Sequence, residues 1–504
     1  MDTLYHLCIL FREPALLLLV AAGTFAGIYV GAIPGLSGTM AVSLLVSFTL
    51  GWSTNRALAL MVGVFVGAVY GGSRSAILLN MPGAPAAVAT AFDGYPLAKK
   101  GLAGEAMGLA TVQSFIGTVA GVVALGVGAP LVAKLAQSVR SIDYLMLALM
   151  GLMMVGALGA KSMRRGLIAG AIGLFLGCIG IDPQTAVKRF TFDIVYLNGG
   201  VDFVVAMIGL FGASEALMQL QSGAKSEQAA RRPGRIVPPW KETLRHLPLT
   251  IRAAITGILV GALPGAGGDI AALIAYAQAK RTVKNPKVPF GEGAVEGVIA
   301  PETANNAAIG GAFIPMLTLG IPGDAVTAVL ISALMVHGVQ PGPNFIKNSP
   351  DLFFLIIACL AVASVFLLLF GLTGIRLFTK VTEMKKGVLM PLILVLCVVG
   401  AFAVRNNVYD IFWMFGFGVF GYFLKKFDYP VAPVVLGIVL CPLIEENYRR
   451  GVLLEGSVWN MLTSIVESPV SVCLMLLLLF LLVSRSGMMA AFREKREKQK
   501  AGKA

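Results

Sequence analysis

Gly31-Ala32-Ile33-Pro34-Gly35-Leu36-Ser37-Gly38, near the start of the chain, is matched in its middle by Gly261-Ala262-Leu263-Pro264-Gly265-Ala266-Gly267-Gly268. A second pair follows in register: Gly71 stands eleven positions before Pro82-Gly83, and Gly311 stands eleven before Pro322-Gly323. Two aligned matches in the same order mark an internal repeat. Proline lacks a backbone donor and a following glycine leaves the helix readily, so each Pro-Gly opens a turn inside an apolar stretch. Lipid cannot satisfy the peptide groups freed by such a turn. It is therefore buried in protein or faces a water-filled cavity, where discontinuous transporter helices hold substrates and ions.

The composition agrees with a membrane setting. Of 504 residues 57% are hydrophobic and only 13% charged, with a mean hydropathy of +0.83; soluble domains carry about 25% charged residues. Residues 106–133 and 352–375 contain no Asp, Glu, Lys or Arg, and each run exceeds the roughly 20 residues that cross hydrocarbon. Residues 14–55 are also uncharged, far beyond the apolar core of about 7 to 15 residues in a cleavable signal peptide, and are read as retained structure. The six cysteines form no Cys-x-x-Cys pair and the three histidines have no metal-ligand spacing, so neither a disulfide framework nor a structural metal is expected. The net charge of +14 fits basic cytoplasmic loops better than nucleic-acid binding.

Residues 222–249 form a linker with four prolines and six basic against two acidic residues. They divide the chain into a first transmembrane repeat over 1–221 and a second over 250–446, with an extra helix and a basic tail over 447–504. With the N-terminus periplasmic, most lysines and arginines fall inside, among them Lys99, Lys100, Lys161, Arg164, Arg165, the linker, 280–287 and the tail Phe492-Arg493-Glu494-Lys495-Arg496-Glu497-Lys498. This places the C-terminus in the cytoplasm. Equivalent loops carry opposite charge character, Arg56 against 280–287 and Lys161, Arg164 and Arg165 against Arg405. The expected fold is therefore all-α and polytopic, with two inverted-topology repeats, Pro-Gly-broken helices or re-entrant hairpins, and eleven or twelve membrane segments.

Small neutral polar residues cluster around the breaks: Ser37, Thr39, Ser73, Asn80, Thr303, Asn305, Asn306, Thr318 and Thr327. A half-helix beginning after Pro-Gly points free N–H groups and a positive dipole end at its neighbour, which favours an anion by about 0.3 to 1 kcal/mol per charge. Hydroxyls and amides add oriented hydrogen bonds, and their oxygens can hold sodium. Packing between helices is the competing role of the same residues. Charged residues in this region are Arg74, Asp93, Asp269, Glu292, Glu296, Glu302 and Asp324. Arg74 either clamps a carboxylate or snorkels. Asp269 and Asp324, each just after a Pro-Gly, either cap a first turn or bind a coupling cation.

The runs Tyr70-Gly71-Gly72-Ser73, Asn80-Met81-Pro82-Gly83-Ala84-Pro85 and Asp93-Gly94-Tyr95-Pro96-Leu97 resemble the large membrane subunit of the tripartite tricarboxylate transporters, the TctA family. So do Ala300-Pro301-Glu302-Thr303-Ala304-Asn305-Asn306-Ala307, Leu319-Gly320-Ile321-Pro322-Gly323 and His337-Gly338-Val339-Gln340-Pro341-Gly342-Pro343. The resemblance implies a bacterial inner-membrane permease that works with a small membrane subunit (TctB-like) and a periplasmic substrate-binding protein (TctC-like) and imports a carboxylate such as citrate. It further implies a secondary transporter with sodium or protons as coupling ion and no other cofactor. Expected substrate-binding residues are Ser37, Thr39, Ser73, Arg74, Asn80, Pro82, Gly83, Asn305, Asn306, Thr318, Pro322, Gly323 and Thr327, with Pro34, Gly35, Pro264 and Gly265 forming structural turns.

The enzyme alternative is an intramembrane serine protease, with Ser37 in Gly35-Leu36-Ser37-Gly38 as nucleophile and His337 as base. Against it, the repeat partner of Ser37 is Gly267: the repeat requires the turn and not the hydroxyl. A passive channel or scaffold is the third class.

Overall fold

The computed structural model describes residues 13–33, 36–80, 83–136, 140–158, 162–182, 185–222, 240–374 and 386–476. Pro34, Gly35, Pro82, most of the linker and the basic tail lie outside them. The described residues are almost wholly helical, apart from one two-residue antiparallel pair, Gly180–Ile181 with Lys188–Arg189. Five helices are long and apolar enough to cross a membrane, six if Val458–Glu467 and Pro469–Leu476, bent by 88°, count as one span. Five shorter apolar helices accompany them. The expected all-α polytopic architecture is thus the observed one.

Contacts group the chain along different lines from the sequence halves: Met1–Ala136 with Asp202–Phe423, and Gln137–Val201 with Leu424–Ala504. The first unit contains both copies of the Pro-Gly pattern. Its first copy comprises α1 (Pro14–Ala32), α2 (Gly38–Phe48), α3 (Thr54–Leu79), α4 (Ala87–Leu97) and α5 (Ala103–Ala136). In the second unit follow α6 (Ser141–Leu158) and α7 (Met163–Gly177). Back in the first unit, α8 (Phe203–Met207) and α9 (Ser214–Ser222) precede α10 (Trp240–Arg245). The second copy comprises α11 (Leu247–Gly261), α12 (Gly267–Thr282), α13 (Glu296–Leu319), α14 (Ala325–Val336), the short α15 (Phe345–Asn348) and α16 (Pro350–Thr373). The boundary set at 249 therefore falls inside α11.

Rows of glycine decide how each copy packs. A Cβ added at Gly23, Gly27 or Gly31 of α1 would stand 2.3, 2.3 and 2.2 Å from the carbonyl oxygens of Leu60, Val64 and Ala68 on α3. In return, Gly63, Gly67 and Gly71 of α3 meet Val20, Thr24 and Ile28 at 2.6, 2.2 and 2.3 Å. No side chain fits between the two backbones, which is the small-residue packing that lets membrane helices approach closely. The second copy repeats it: Gly257 and Gly261 of α11 meet Ala304 and Ala308 on α13 at 2.2 and 2.5 Å, and Gly311 meets Ile258 at 2.5 Å. Numbers match with an offset of 230 before the α2–α3 and α12–α13 loops and 240 after them, because the second loop is ten residues longer.

These contacts set the depth of the breaks. In both copies paired residues ascend together, so α1 runs parallel to α3, and α11 to α13. Gly31 sits at Ala68, about 21 Å along a helix about 39 Å long, and Gly261 at Ala308, about 18 Å along one of about 36 Å. The first break of each copy therefore stands near mid-height. The second break folds back onto the first: a Cβ on Gly83 would stand 2.0 Å from Gly31 O, one on Gly323 2.7 Å from Gly261 O, and Gly265 N donates to Pro322 O at 3.3 Å. The helices ahead of the second break end alike. Asn80 (φ 54°) and Gly320 (φ 69°) are left-handed caps at matching positions, their N–H groups donating to Ser75 O and Pro315 O. The counterparts α5 and α16 touch at Thr111 with Gly371 and at Gly126 with Ile357, and so run antiparallel.

In the second unit, α19 (Ala432–Glu455) follows α17 (Lys386–Arg405) and α18 (Val408–Lys426) in the chain and packs on α7, with Gly173 against Val434 O and Gly437 against Gly170 O. Arg449 pairs with Asp182 and Glu445, and Arg189 with Glu445. Cys178 Sγ lies 3.4 Å from Cys441 Sγ although both are free, a proximity their spacing in sequence does not foretell. Asp143 accepts from Arg140 N at 2.9 Å and from the hydroxyls of Ser468 and Ser471, fixing the start of α6.

Replacing Gly67 by Val drives a side chain into Thr24 O and is expected to cost about 3 kcal/mol or more. Gly416→Ala, at a position with nothing within 4 Å, should stay within about 0.5 kcal/mol of the parent. Thermal unfolding of the purified full-length chain in detergent compares them; equal stability of the two variants would refute the glycine-row packing.

Candidate functional site

Four half-helix N-termini come together where the breaks meet. They are the starts of α2 (Ser37 to Thr39) and α4 (Gly83 to Ala87) from the first copy, and of α12 (Gly267 to Asp269) and α14 (Asp324 to Thr327) from the second. Each first-copy start is joined to one of the second. Ala86 N donates to Asp269 Oδ1 at 3.0 Å, tying α4 to α12. Val326 Cγ2 would lie 4.0 Å from a Cβ on Gly38, seating α14 on α2. Gly267 faces Asp324, and Gly268 faces Asn305 so closely that a Cβ would stand 2.3 Å from its Oδ1. Glycine is required here because α13 presses on the first turn of α12. Gly265 and Gly267 also adopt positive φ, 75° and 59°, which an L side chain resists.

The expected site residues separate into groups. Ser37 is the N-cap of α2, its Oγ accepting from Met40 N at 3.1 Å, and Thr39 is buried in the first turn. Asp324 closes a capping box with Thr327, accepting Thr327 N at 2.7 Å while Thr327 Oγ1 accepts Asp324 N at 2.8 Å. One start in each copy, α2 in the first and α14 in the second, thus carries a satisfied side-chain cap, whereas α4 and α12 have none. Asp269 caps nothing in its own helix: one oxygen receives Ala86 N, and the residue stays solvent-accessible though surrounded by chain. Asp324 lies at the same place: a Cβ on Gly267, two residues before Asp269, would stand 2.8 Å from Asp324 Cβ.

Other residues sit away from the tips. Arg74 is fully buried, donating to Tyr70 Oη at 3.2 Å and to the carbonyls of Phe370 and Gly371 at 3.2 and 2.7 Å on α16. Thr318 donates back to Ile314 O at 2.6 Å within its own helix. Asn80 is an exposed left-handed cap. His337 ends α14, eleven residues and about 16 Å of rise beyond Val326, so the structure does not bring it to Ser37 as a nucleophile–base pair.

A polar stripe that the sequence reading did not single out runs along α4. Ala86, Thr90 and Asp93, spaced four and three, share one helical face. Thr90 Oγ1 donates to Glu302 Oε1 at 2.5 Å, and Ser114 Oγ on α5 donates to Glu302 Oε2 at 2.9 Å. Asp93 Oδ1 accepts the N–H groups of Gly291, Gly293 and Ala294 at 2.8, 2.9 and 2.8 Å, and Oδ2 accepts Tyr276 Oη at 2.9 Å. The whole of α4 is therefore pinned to the second copy. Thr303 and Thr250 both donate to Gln113 Oε1, and Asn306 Nδ2 donates to Ser114 Oγ and to Glu302 O. The sequence signal was the spacing Glu302 to Asn306, which puts both on one face of α13. Among the described residues no group of three or more His, Cys, Asp or Glu is set to hold a metal.

The tripartite tricarboxylate transporter TctA family matches residues 17–436, taking in all four breaks and the α4 stripe. The chain belongs to this family. An uncharacterized 52.8 kDa protein in the TAR-I ttuC' 3'region of Agrobacterium vitis is 36% identical over 436 residues, 86% of this chain and 86% of that protein. An uncharacterized protein in the TAR-II ttuC' 3'region of the same organism is 39% identical over 199 residues, 40% of this chain and 82% of that protein. No solved structure matches significantly. Family membership together with the apolar helices makes this a multi-pass membrane protein and the large component of a tripartite transport system.

Asp93→Ala leaves three N–H groups, two of them buried, without an acceptor and is expected to lower stability by about 3 kcal/mol. Asp93→Asn, which keeps one acceptor oxygen, should cost less. Thermal unfolding of the full chain tests this ordering; a D93A protein as stable as the parent would show that the clasp on residues 291–294 contributes nothing.

Proposed function

We propose that this chain is the permease of a binding-protein-dependent secondary transporter that imports di- or tricarboxylates of the citrate kind by cation symport. The observation that carries the reading is the meeting of four half-helix N-termini near mid-height with Asp269 and Asp324 among them. Backbone donors, the hydroxyl groups of Ser37 and Thr39 and the amide NH2 of Asn305 are of the kind that donate to a carboxylate. Arg74, engaged on Tyr70 and α16, is not needed as a clamp. Two carboxylates at the same place repel such a substrate unless a cation neutralises them, and this is the physical case for symport.

Energetics point the same way. One negative charge entering an inside-negative cell costs about 2.3 kcal/mol per 100 mV, so a dianion costs about 4.6 kcal/mol, and two or more sodium ions or protons entering with it cancel the term. The two copies act as inverted repeats in the bacterial inner membrane, N-terminus periplasmic and C-terminus cytoplasmic; the antiparallel course of α5 and α16 favours this arrangement. A small membrane subunit and a periplasmic binding protein complete the system.

Reconstituted vesicles holding the complete complex should accumulate labelled carboxylate only with a sodium or proton gradient; equal uptake with every gradient collapsed would sink the reading. Asn306→Ala should reduce uptake at least about tenfold, the loss of one or two buried hydrogen bonds. Asn80→Gly should leave uptake near the parent's, since glycine occupies the matching cap at Gly320. A large loss in N80G would restore a substrate role for the Asn80 amide.

A further inference from the structure

We propose that Glu302 is a loading site for one monovalent cation, a proton or a sodium ion, that enters with the substrate. Its side chain is 1% exposed, and no ion pair reaches it among the described residues. The groups around it are neutral oxygens: Thr90 Oγ1 at 2.5 Å, Ser114 Oγ at 2.9 Å, and Ser73 beside them. Asn306, with no exposure, holds Ser114 Oγ through Nδ2 while its Oδ1 has no hydrogen-bond partner. A desolvated carboxylate without a counter-charge is strongly unfavourable. A proton on it, or a sodium ion among the carboxylate, hydroxyl and amide oxygens, removes that cost.

No charged group on the packed elements, Arg252 on α11 and Glu105 on α5 included, forms an ion pair with Glu302 among the described residues. On α4, Asp93 accepts from residues 291, 293, 294 and Tyr276, and on α3 Arg74 donates to Tyr70 and α16. Asp269 on α12 receives Ala86 N, and Asp324 on α14 is closed in its capping box. From α5 and α11 come Gln113 and Thr250, hydrogen-bonded to one another. Glu296, on the first turn of α13, faces His246 at 4.0 Å.

The repeat argues that these polar groups are not there for packing. With the offset of 240, Glu302 corresponds to Val62, Asn306 to Val66 and Thr90 to Leu330, all fully buried. The same fold thus closes with apolar residues in the other copy. Thr90 also stands one turn from Ala86, whose N–H holds Asp269, so a cation on Glu302 changes the grip of α4 one turn from the converged tips.

The inference rests on the transport reading. The complete complex is reconstituted and given a labelled panel of citrate, isocitrate, malate, succinate and tartrate, under a proton gradient alone and a sodium gradient alone. Glu302→Gln should lose gradient-driven accumulation by more than about tenfold yet keep substrate counterflow within about twofold, because the neutral amide mimics the loaded site. Ser114→Ala, which keeps the carboxylate, should shift the half-maximal cation concentration by about threefold or more. The shift is downward for a proton, as the carboxylate loses a donor, and upward for sodium, which loses a ligand. E302Q accumulating like the parent, E302Q losing counterflow together with accumulation, or an unmoved midpoint in S114A each overturns the assignment of Glu302. A parent complex that moves no member of the panel overturns the transport reading and this inference with it.

Discussion

Backbone packing without intervening side chains, at Gly23, Gly27 and Gly31 against α3 and at Gly257 and Gly261 against α13, is the constraint on which the rest depends. A helix broken near mid-height exposes peptide groups that hydrocarbon cannot satisfy. Glycine rows bring a continuous neighbouring backbone to within contact of the break, so the turn is covered by protein. They also fix its height, because Gly31 and Gly261 are each the last row before a break. The second break then has one place to go, and Gly83 and Gly323 fill it in the same way.

Once the tips meet, the two copies hold one another through different chemistry. Gly38 receives Val326, an apolar contact, whereas Ala86 reaches Asp269, a charge-assisted hydrogen bond. The α4 stripe extends this second contact through Thr90 and Asp93 to Glu302, Tyr276 and the start of α13. The polar chemistry is therefore concentrated on one of two architecturally equivalent joints. The two copies are thus equivalent scaffolds that carry unequal chemistry.

The all-α membrane class, the repeat and the interruptions of the helices at Pro264-Gly265 and Pro322-Gly323 were legible in the sequence, since apolar runs, Pro-Gly and glycine spacing are local signals. The cap at Asp324 was legible as one of two readings, because a capping box is also local. Arg74 was not: its partners Phe370 and Gly371 lie almost three hundred residues away. Glu302 was visible as a charge in an apolar region but had no role until Thr90 and Ser114 arrived from the other copy. Ser37 and His337 looked pairable in one dimension and are held apart by the length of α14.

What the sequence by itself determined is where helices must run, where they must break and which positions admit no side chain, because each follows from hydropathy, from proline's missing donor or from glycine's missing Cβ. What only the tertiary structure decided is which polar groups meet. Two helices of similar composition, α4 and α14, differ in that one lays Ala86, Thr90 and Asp93 against another copy's carboxylate, loop and tyrosine, while the other closes its first turn on itself. Such pairings join residues about two hundred positions apart, and a chain's local pattern carries no record of its distant neighbours.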